Sequence, residues 1–335
     1  MTHHEQFMMH ALRLAKKGEG LTRPNPPVGA ILVKNGEIFG EGWHEKAGMA
    51  HAEVACFNSI SDDIKLNEAV LYITLEPCCT QGRTPACTDL ILRKGIKKVV
   101  IATEDPNPNH SGKGIKILKE AGIEVISGIC EEEAKNLIAP FYKRIKTGMP
   151  YITLKLAITL DGKIADFDSY SKWISGTSSR EEVQKLRQKV DAIMVGAGTI
   201  RSDNPSLLPR PKNNRNPWRI IVGENIPNTS KVLSDEFKSQ TLLYSGDLEE
   251  IIRDLADHKK VMHILCEGGG ILATSLLRAK LVDEVYLFLA PKLLGRDGIS
   301  FYNEEGRNID SVCKLRYLEI KPINEDLLIR AKIED

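Results

Sequence analysis

Residues 51–78 read HAEVACFNSISDDIKLNEAVLYITLEPC and carry the strongest signal in the chain. His51-Ala52-Glu53 stands where a helix is predicted to begin, and Glu76-Pro77-Cys78 stands where a strand is predicted to end. Residues 79–86 then separate Cys78 from a second cysteine, Cys87. A His, a Glu and two Cys therefore lie at or near the ends of alternating predicted helices and strands. This pattern predicts a metal-dependent site in an α/β domain.

The chemistry of these side chains indicates catalytic zinc. His51, Cys78 and Cys87 offer the imidazole and thiolates that zinc prefers, and three protein ligands leave the fourth position open for water. Zinc lowers the pKa of such a water toward ~7. Glu53 lies on the first helical turn beside His51 and can pass the proton of the water to a leaving amine, as in zinc deaminases. The alternative is that these are ordinary buried core residues, which the combined pattern disfavours.

The loop between the two cysteines is longer than in the general deaminase signature, P-C-x-x-C. Such a loop can carry substrate contacts, and Arg83 suits a phosphate because its planar fork donates two hydrogen bonds. Arg83 is equally consistent with a solvated surface arginine. Cys79 adjoins Cys78 and is expected to pack beside the metal site without binding the metal.

Helices and strands alternate along both halves, and a Gly-Met-Pro sequence at residues 148–150 predicts the boundary. In the first half, helices are predicted at Glu5–Lys17, from Ala52, at Pro85–Arg93, Ile115–Glu120 and Glu131–Lys146, and strands at Val28–Val33, Ile38–Gly40, Ala69–Leu75, Lys98–Ala102 and Ile123–Ile126. Asn35-Gly36 predicts a hairpin turn. The second half is predicted to hold strands at Tyr151–Ala157, Ala192–Val195, Arg219–Val222, Met262–Cys266 and Val285–Ala290, with a polar loop at Asp203–Pro217.

Composition limits the classes of function. A chain of 335 residues exceeds what one hydrophobic core usually organises. The 46 basic residues balance 45 acidic ones, which argues against a nucleic-acid partner. Seven Cys form an odd, irregular set that fits a reducing cytoplasm. The N-terminus lacks a basic region followed by an apolar run, and no segment approaches the roughly 20 apolar residues of a membrane span, so a cytoplasmic protein is expected.

Taken together, these motifs resemble the bifunctional riboflavin biosynthesis family, in which a diaminohydroxyphosphoribosylaminopyrimidine deaminase is joined to a 5-amino-6-(5-phosphoribosylamino)uracil reductase. The resemblance covers nearly the whole chain. In the first half it is carried by residues 24–29, 42–48, 51–53, 74–78, 82–87 and 105–108. In the second half it is carried by residues 154–157, 160–162, 171–174, 191–199, 203–207, Arg210, 267–269, 281–284 and 290–291.

For the first half, residues 1–147, the resemblance implies a cytidine-deaminase-like three-layer α/β/α domain that binds zinc. Asn25, His44 and Arg83 would hold the pyrimidine and its ribose phosphate. The family usually has a His where this chain has Thr80, which puts one polar substrate contact in doubt, and a Pro where it has Ala86. Neither change removes a group that the zinc chemistry requires.

For the second half, residues 151–335, the resemblance implies a dihydrofolate-reductase-like α/β domain that uses NADPH. The residues that would line the cofactor are Ala157, Trp173, Thr199, Asp203, Gly269, Gly270, Ile271, Leu272, Ala273, Thr274 and Ser275. Those that would hold the substrate, a small pyrimidine ribotide, are Ser171, Arg187, Leu207, Arg210 and Glu267. Lys155 and Asp161 are candidate proton donors, and no reader of the 2′-phosphate of NADPH is identified. A homo-oligomer, dimer or tetramer, is also expected.

Two other functions remain open from the sequence. A nucleic-acid deaminase of the tRNA-adenosine type shares the His-Ala-Glu and Glu-Pro-Cys motifs, although it has the short cysteine spacing. The second half could also bind a nucleotide without chemistry, because its glycine-rich turns at residues 195–199 and 267–273 suit a sensor as well as an enzyme. These alternatives together describe a deaminase regulated by a non-catalytic domain.

Overall fold

The computed structural model describes residues 1–61, 64–80, 85–211, 216–303, 305 and 308–334. The chain divides into two compact units, Met1–Gly148 and Met149–Asp335, and each is described by itself. In the described ranges, no helix combines the length and the apolar character needed to cross a membrane.

The first unit is a mixed sheet with helices. Its strands are β1 (Gly29–Lys34), β2 (Glu37–Trp43), β3 (Val70–Ile73), β4 (Lys98–Ile101) and β5 (Glu124–Ser127). Its helices are α1 (His3–Lys16), α2 (Ala52–Asn58), α3 (Cys87–Arg93), α4 (Lys113–Glu120), α5 (Glu131–Leu137) and α6 (Ala139–Thr147). In the described residues the strand order is β2-β1-β3-β4-β5, antiparallel from β2 to β3 and parallel from β3 to β5.

Local sequence explains how this unit presents its motifs. The turn between β1 and β2 uses Asn35 and Gly36, both at positive φ, as a tight hairpin requires. Helix α2 then packs so closely on β2 that a Cβ on Gly42 would lie 2.2 Å from the backbone nitrogen of Cys56. Glycine at this position therefore brings the amino end of α2, with His51 and Glu53, close to the sheet.

One helix prediction was wrong. The segment expected to form a single helix from Glu131 to Lys146 is two helices, α5 and α6, which meet at Ile138. Pro140 explains the break, because it lacks an N–H and its ring collides with the carbonyl four residues earlier. Proline is well tolerated in the first turn of the new helix α6.

The second unit is built on a larger, mostly parallel sheet. Its strands are β6 (Tyr151–Thr159), β7 (Lys163–Ala165), β8 (Ala192–Gly196), β9 (Trp218–Val222), β10 (Thr241–Tyr244), β11 (His263–Cys266), β12 (Glu284–Ala290), β13 (Ile299–Ser300), β14 (Lys314–Ile323) and β15 (Asp326–Glu334). Its α-helices are α7 (Thr177–Lys189), α8 (Ala197–Asp203), α9 (Lys231–Ser234), α10 (Leu248–His258) and α11 (Gly270–Arg278).

Within the described residues, eight of these strands form one sheet in the order β10-β9-β8-β11-β6-β12-β15-β14. The six strands β10, β9, β8, β11, β6 and β12 are parallel to one another. Their carboxyl ends therefore lie along the same edge, which is where open α/β sheets bind ligands. The antiparallel pair β14–β15, which the sequence analysis did not predict, completes the sheet beside β12. The carboxyl edge of β8, β11 and β6 is where most of the predicted reductase residues lie.

Two candidate active sites

Three element ends bring the predicted zinc ligands together in the first unit. His51 immediately precedes α2, Cys78 follows β3, and Cys87 is the first residue of α3. His51 occupies the N-cap position, yet its side chain makes no capping hydrogen bond. The imidazole Nδ1 lies 3.3 Å from the Cys87 sulfur and 3.7 Å from the Cys78 sulfur.

This arrangement fits zinc. The three ligand atoms all lie within 4.8 Å of one another, and tetrahedral zinc places its ligands roughly 3.3–3.8 Å apart. The backbone N–H of Cys87 donates to the Cys78 sulfur over 3.4 Å. Hydrogen bonds from Cys87 and His51 lower the pKa of the Cys78 thiol, and a thiolate is the form that binds a metal.

Glu53 lies against this cluster. Its side chain is 4% exposed on the first turn of α2, and its carboxyl group hydrogen-bonds with the side chain of Cys87. Burial raises the pKa of Glu53 above the usual carboxyl range. A buried carboxyl group beside three candidate metal ligands is suited to proton transfer at a metal bound there.

Asn25 and His44, the predicted pyrimidine contacts, also lie together. The Nδ1 of His44 lies 2.9 Å from the carbonyl oxygen of Ala50, and its Nε2 lies 3.5 Å from Asn25 Nδ2. Burial lowers the pKa of His44, which favours the neutral ring, so Nδ1 donates to Ala50 and Nε2 keeps a lone pair. The His44 and His51 ring centroids are 5.7 Å apart, which brings this pair beside the zinc ligands.

The remaining predictions for this site have different outcomes. Arg83 falls at residues 81–84, outside the described residues. Cys79 is half-buried, and its sulfur lies 3.7 Å from Nδ1 of His110. The set of ligands that the structure brings together is therefore the predicted His51, Cys78 and Cys87, with Cys79 turned to a separate contact.

Sequence reasoning gave no role to Glu76, which the structure shows to be an organising residue. Its buried carboxylate accepts hydrogen bonds from the backbone N–H groups of Asp105, Gly112 and Ile115, over 3.1, 2.9 and 3.1 Å. These contacts fix the segment 105–115 against the strand end that carries Cys78. The only sequence signal was a charged residue at the end of a buried strand, because its partners lie far along the chain.

In the second unit, the glycine-rich turn after β11 opens a surface at the carboxyl edge of the sheet. Gly268 and Gly269 have φ values of 103° and 87°, which favour glycine, and Gly269 precedes α11. A Cβ on Gly269 would lie 3.2 Å from Oγ1 of Thr199 on α8. Backbone amides at such a helix start can approach a phosphate, so the turn fits the pyrophosphate of a dinucleotide.

The predicted cofactor residues contribute in different ways. Trp173 and Ile271 are exposed, at 61% and 82%, whereas Leu272, Ala273 and Thr274 are buried against the sheet. Of these four α11 side chains, only that of Ile271 is therefore accessible to a ligand. Ser171 donates from Oγ to Asp203 over 3.4 Å, which brings these two predicted residues together. Ala157 and Ser275 are half-buried.

Two of the predicted substrate residues form a largely buried ion pair. Arg187 donates from Nε and Nη2 to the two carboxylate oxygens of Glu267, over 2.5 and 2.8 Å. Both side chains are nearly inaccessible, at 12% and 8% exposure, so this is not a solvated surface pair. Leu207 is buried, and Arg210 is exposed with its backbone N–H bonded to Gln184.

The structure separates the two candidate proton donors. Burial lowers the pKa of Lys155, and the charges of Glu267 and Arg187 act on it, so Lys155 belongs with the ion pair. Asp161 instead accepts hydrogen bonds from the Thr159 hydroxyl and from the backbone N–H groups of Leu294 and Gly295. The Thr159 bond, with those amides, lowers the pKa of Asp161. Asp161 therefore acts as an ionised acceptor that holds a loop.

Comparison with known proteins identifies both halves. Residues 1–103 match the family model described as the cytidine and deoxycytidylate deaminase zinc-binding region, and residues 150–329 match the RibD C-terminal domain. The riboflavin biosynthesis protein RibD of Aquifex aeolicus is 42% identical over 97% of both chains. The Escherichia coli RibD is 35% identical over 97% of this chain and 98% of its own.

Solved structures agree over the full length. A RibD structure from Acinetobacter baumannii is 34% identical, covers 99% of both chains and has a TM-score of 0.88. A structure from Thermotoga maritima, described as a diaminohydroxyphosphoribosylaminopyrimidine deaminase/5-amino-6-(5-phosphoribosylamino)uracil reductase, is 36% identical, covers 99% of both chains and has a TM-score of 0.89. These matches confirm the resemblance and the predicted fold classes, a deaminase-like α/β half followed by a reductase-like α/β half. The chain therefore belongs to the RibD family of riboflavin biosynthesis proteins.

Proposed function

We propose that the first unit removes an amino group from 2,5-diamino-6-(5-phosphoribosylamino)pyrimidin-4-one and that the second unit reduces the ribosyl chain of the product to ribityl with NADPH. Family membership assigns the chain to riboflavin biosynthesis with a deaminase and a reductase activity. The single observation that carries the deaminase half is the approach of His51, Cys78 and Cys87 to within 4.8 Å of one another beside Glu53.

The residues of the first unit would divide the hydrolysis between them. Zinc, when bound by the His and two Cys, supplies the Lewis-acid chemistry that makes a water molecule nucleophilic at neutral pH. Glu53 would take a proton from the attacking water and deliver it to the leaving amine, so that the C–N bond breaks and ammonia leaves. Asn25 and His44 would orient the pyrimidine, because their side chains meet next to His51.

The second unit would provide orientation and a proton. The nicotinamide cofactor, when bound, supplies the hydride, which adds to the carbon of the open-chain imine of the substrate. Lys155 would give the proton to the imine nitrogen, since it is half-buried beside the pair Arg187–Glu267 and its removal from solvent lowers its pKa. Glu267 suits ribose hydroxyls or a ring N–H, and Arg187 and Arg210 suit the phosphate.

Replacing Glu53 by Gln in the full chain tests the assignment of the deaminase. Ammonia release from the diaminopyrimidine ribotide should fall by about 10²–10⁴-fold, because the proton shuttle is lost. Zinc content, measured by metal analysis, should stay at the wild-type level. NADPH oxidation with the already deaminated substrate should continue at the wild-type rate.

The outcomes separate the alternatives. Loss of both activities in the Glu53→Gln variant would contradict two independent sites. NADPH binding without turnover in the wild-type chain would favour a nucleotide sensor in the second half. Deamination of an RNA hairpin in place of the ribotide would favour a nucleic-acid deaminase, a function that the full-length matches to RibD proteins do not favour.

A cytoplasmic homo-oligomer, dimer or tetramer, completes the proposal and rests on the family resemblance. Light scattering of the purified full chain measures the mass directly. A monomer at the concentrations at which both activities are measured would remove this part of the proposal without affecting the two sites.

A further inference from the structure

The segment 204–210 of the second unit has an unusual backbone at its centre. Leu207, a predicted substrate residue, has a φ of 55° although it is a branched residue, and its side chain is 1% exposed. A non-glycine residue keeps this conformation only where its surroundings enforce it. Contacts to the main chain of the two neighbouring residues, Ser206 and Leu208, show what enforces it.

The carbonyls of Ser206 and Leu208 each accept a hydrogen bond from an arginine that is largely inaccessible to solvent. Arg187 donates from Nη1 to the carbonyl of Leu208 over 3.1 Å. Arg219 on β9 donates from Nη1 to the carbonyl of Ser206 over 3.2 Å. The backbone of Leu207 is therefore held from both sides, and Arg187 and Arg219 form what we call the two-arginine clamp.

Both arginines of the clamp are themselves fixed by carboxylates. Arg187 is bound by Glu267 through two hydrogen bonds. Arg219 is fully buried and donates to both carboxylate oxygens of Asp235, over 2.6 and 2.8 Å. Bidentate pairs of this kind fix the guanidinium plane as well as neutralising its charge.

Arg219 also connects the segment to its surroundings. Its Nη2 donates to the carbonyl of Val232 in α9 over 2.9 Å. The side-chain oxygen of Asn204 accepts from the backbone N–H of Lys231, also in α9, over 2.8 Å. The segment 204–210 is thus tied at two points to α9, and Arg219 is the group that joins β9, α9 and the carbonyl of Ser206.

We infer that Arg219 is a positioning residue for the reductase, which, held by Asp235, fixes the main chain around Leu207 so that it meets the pyrimidine ribotide. The inference rests on the proposed reductase function. Arg187 has a second role in that proposal as a substrate contact, whereas Arg219 is fully buried and would act on the substrate indirectly, through the segment 204–210. Loosening Arg219 should therefore weaken substrate binding without changing the hydride-transfer step.

The test uses Arg219→Lys and Asp235→Asn in the full chain. A lysine keeps the charge but loses the fork, so it cannot hold Asp235 and the carbonyl of Ser206 together. The KM for the deaminated ribotide should rise about tenfold in Arg219→Lys with kcat little changed, which is the signature of lost uniform binding. Asp235→Asn leaves the arginine in place and should raise KM in the same direction by a smaller factor. If Arg219→Lys fails to fold, the KM of Asp235→Asn alone tests the inference.

Arg330→Lys is the matched control. Arg330 pairs with Glu284 at the amino end of β12, the edge of the sheet opposite to the one that carries the predicted site. This variant loses an arginine–carboxylate pair in the same unit, so it should change thermal stability and leave the KM at the wild-type value. The dissociation constant of NADPH, measured by fluorescence titration without substrate, should be unchanged in all three variants.

Three outcomes would overturn the inference. One is a wild-type KM in both Arg219→Lys and Asp235→Asn, and another is a fall in kcat with KM unchanged. The third is an equal rise in KM for Arg330→Lys, which would show that any lost ion pair has this effect. If the wild-type chain does not reduce the ribotide at all, the proposed reductase function fails, and that result is distinct from each of these three.

Discussion

The two sites hold their charged groups in opposite ways. In the first unit, the imidazole of His51 and the two sulfurs of Cys78 and Cys87 converge to within 4.8 Å of one another. In the second unit, the charges are already paired within the protein, as in Arg187–Glu267. The first arrangement is suited to a metal ion, whereas the second is suited to an organic ligand that needs no compensating charge. Changes in the first site should therefore affect catalysis, and changes in the second should combine lost stability with lost binding.

The largest effect is expected for Cys87→Ser. Serine does not replace a zinc thiolate, so zinc content should fall and ammonia release should drop below roughly one thousandth of the wild-type rate. Reduction of the deaminated ribotide should remain, because the second unit has its own core and sheet. Metal analysis and the two separate activity assays measure these results.

Cys79→Ser is the control for that variant. Cys79 adjoins Cys78 in the sequence but contacts His110, and it is not one of the three converging groups. Zinc content and ammonia release should stay within about twofold of wild type, since a free half-buried Cys behaves mainly as a small packing group. Equal zinc loss in Cys79→Ser and Cys87→Ser would show that the ligand set is wrong.

The second expected effect lies in the reductase unit, with Arg187→Met. Removing one partner of a buried pair leaves Glu267 uncompensated, so the free energy of unfolding should fall by about 3 kcal/mol. Adding Glu267→Leu to this variant should restore most of the stability, because hydrophobic replacement of a whole buried pair is often neutral. Reductase turnover should remain absent in both, as chemical denaturation and NADPH oxidation would show. Recovery of turnover in the double variant would mean that the pair is only structural.

The convergence of His51, Cys78 and Cys87 could be predicted from the sequence more directly than the contacts in the second unit, for a physical reason. Zinc binding depends on the chemistry of a few side chains. His51, Cys78 and Cys87 indicate a zinc site by their residue types and by their positions at the ends of helices and strands. The alternating helices and strands likewise follow from local hydrophobic pattern. A metal site whose ligands lie in short sequence motifs can therefore be predicted without knowing the rest of the fold.

Features that depend on distant partners could not be predicted in this way. Glu76 takes its role from backbone groups of residues 105–115, and Arg219 takes its role from Ser206, Val232 and Asp235. The strands β14 and β15 were also missed. Strand β14 lies at the edge of the sheet with no buried side chain among its described residues, so it lacks the clear alternation of a half-buried strand.

A smaller effect is expected at Glu76, the organising residue of the first unit. In Glu76→Gln one oxygen becomes an NH₂ group, which cannot accept from the amides of Asp105, Gly112 or Ile115. The free energy of unfolding should fall by about 1–3 kcal/mol, and ammonia release should decrease because Cys78 follows the same strand end. Glu120→Gln is the control, since Glu120 is exposed on α4 and pairs weakly with Lys116. Equal melting temperatures for the two variants would exclude an organising role.

The smallest effect on activity is expected for Asp161→Asn, and it bears on how the reductase obtains its proton. Asp161 is tied to Thr159, Leu294 and Gly295, so kcat should change by less than about twofold, whereas Lys155→Met should abolish turnover. The hydrogen bonds hold the pKa of Asp161 below its unfolded value, so its contribution to stability is present at neutral pH and is lost as the pH falls through the folded pKa. The melting temperatures of Asp161→Asn and wild type should therefore differ at neutral pH and converge in acid. A loss of kcat as large as that of Lys155→Met would make Asp161 the donor, and the paired charges around Lys155 would then serve binding alone.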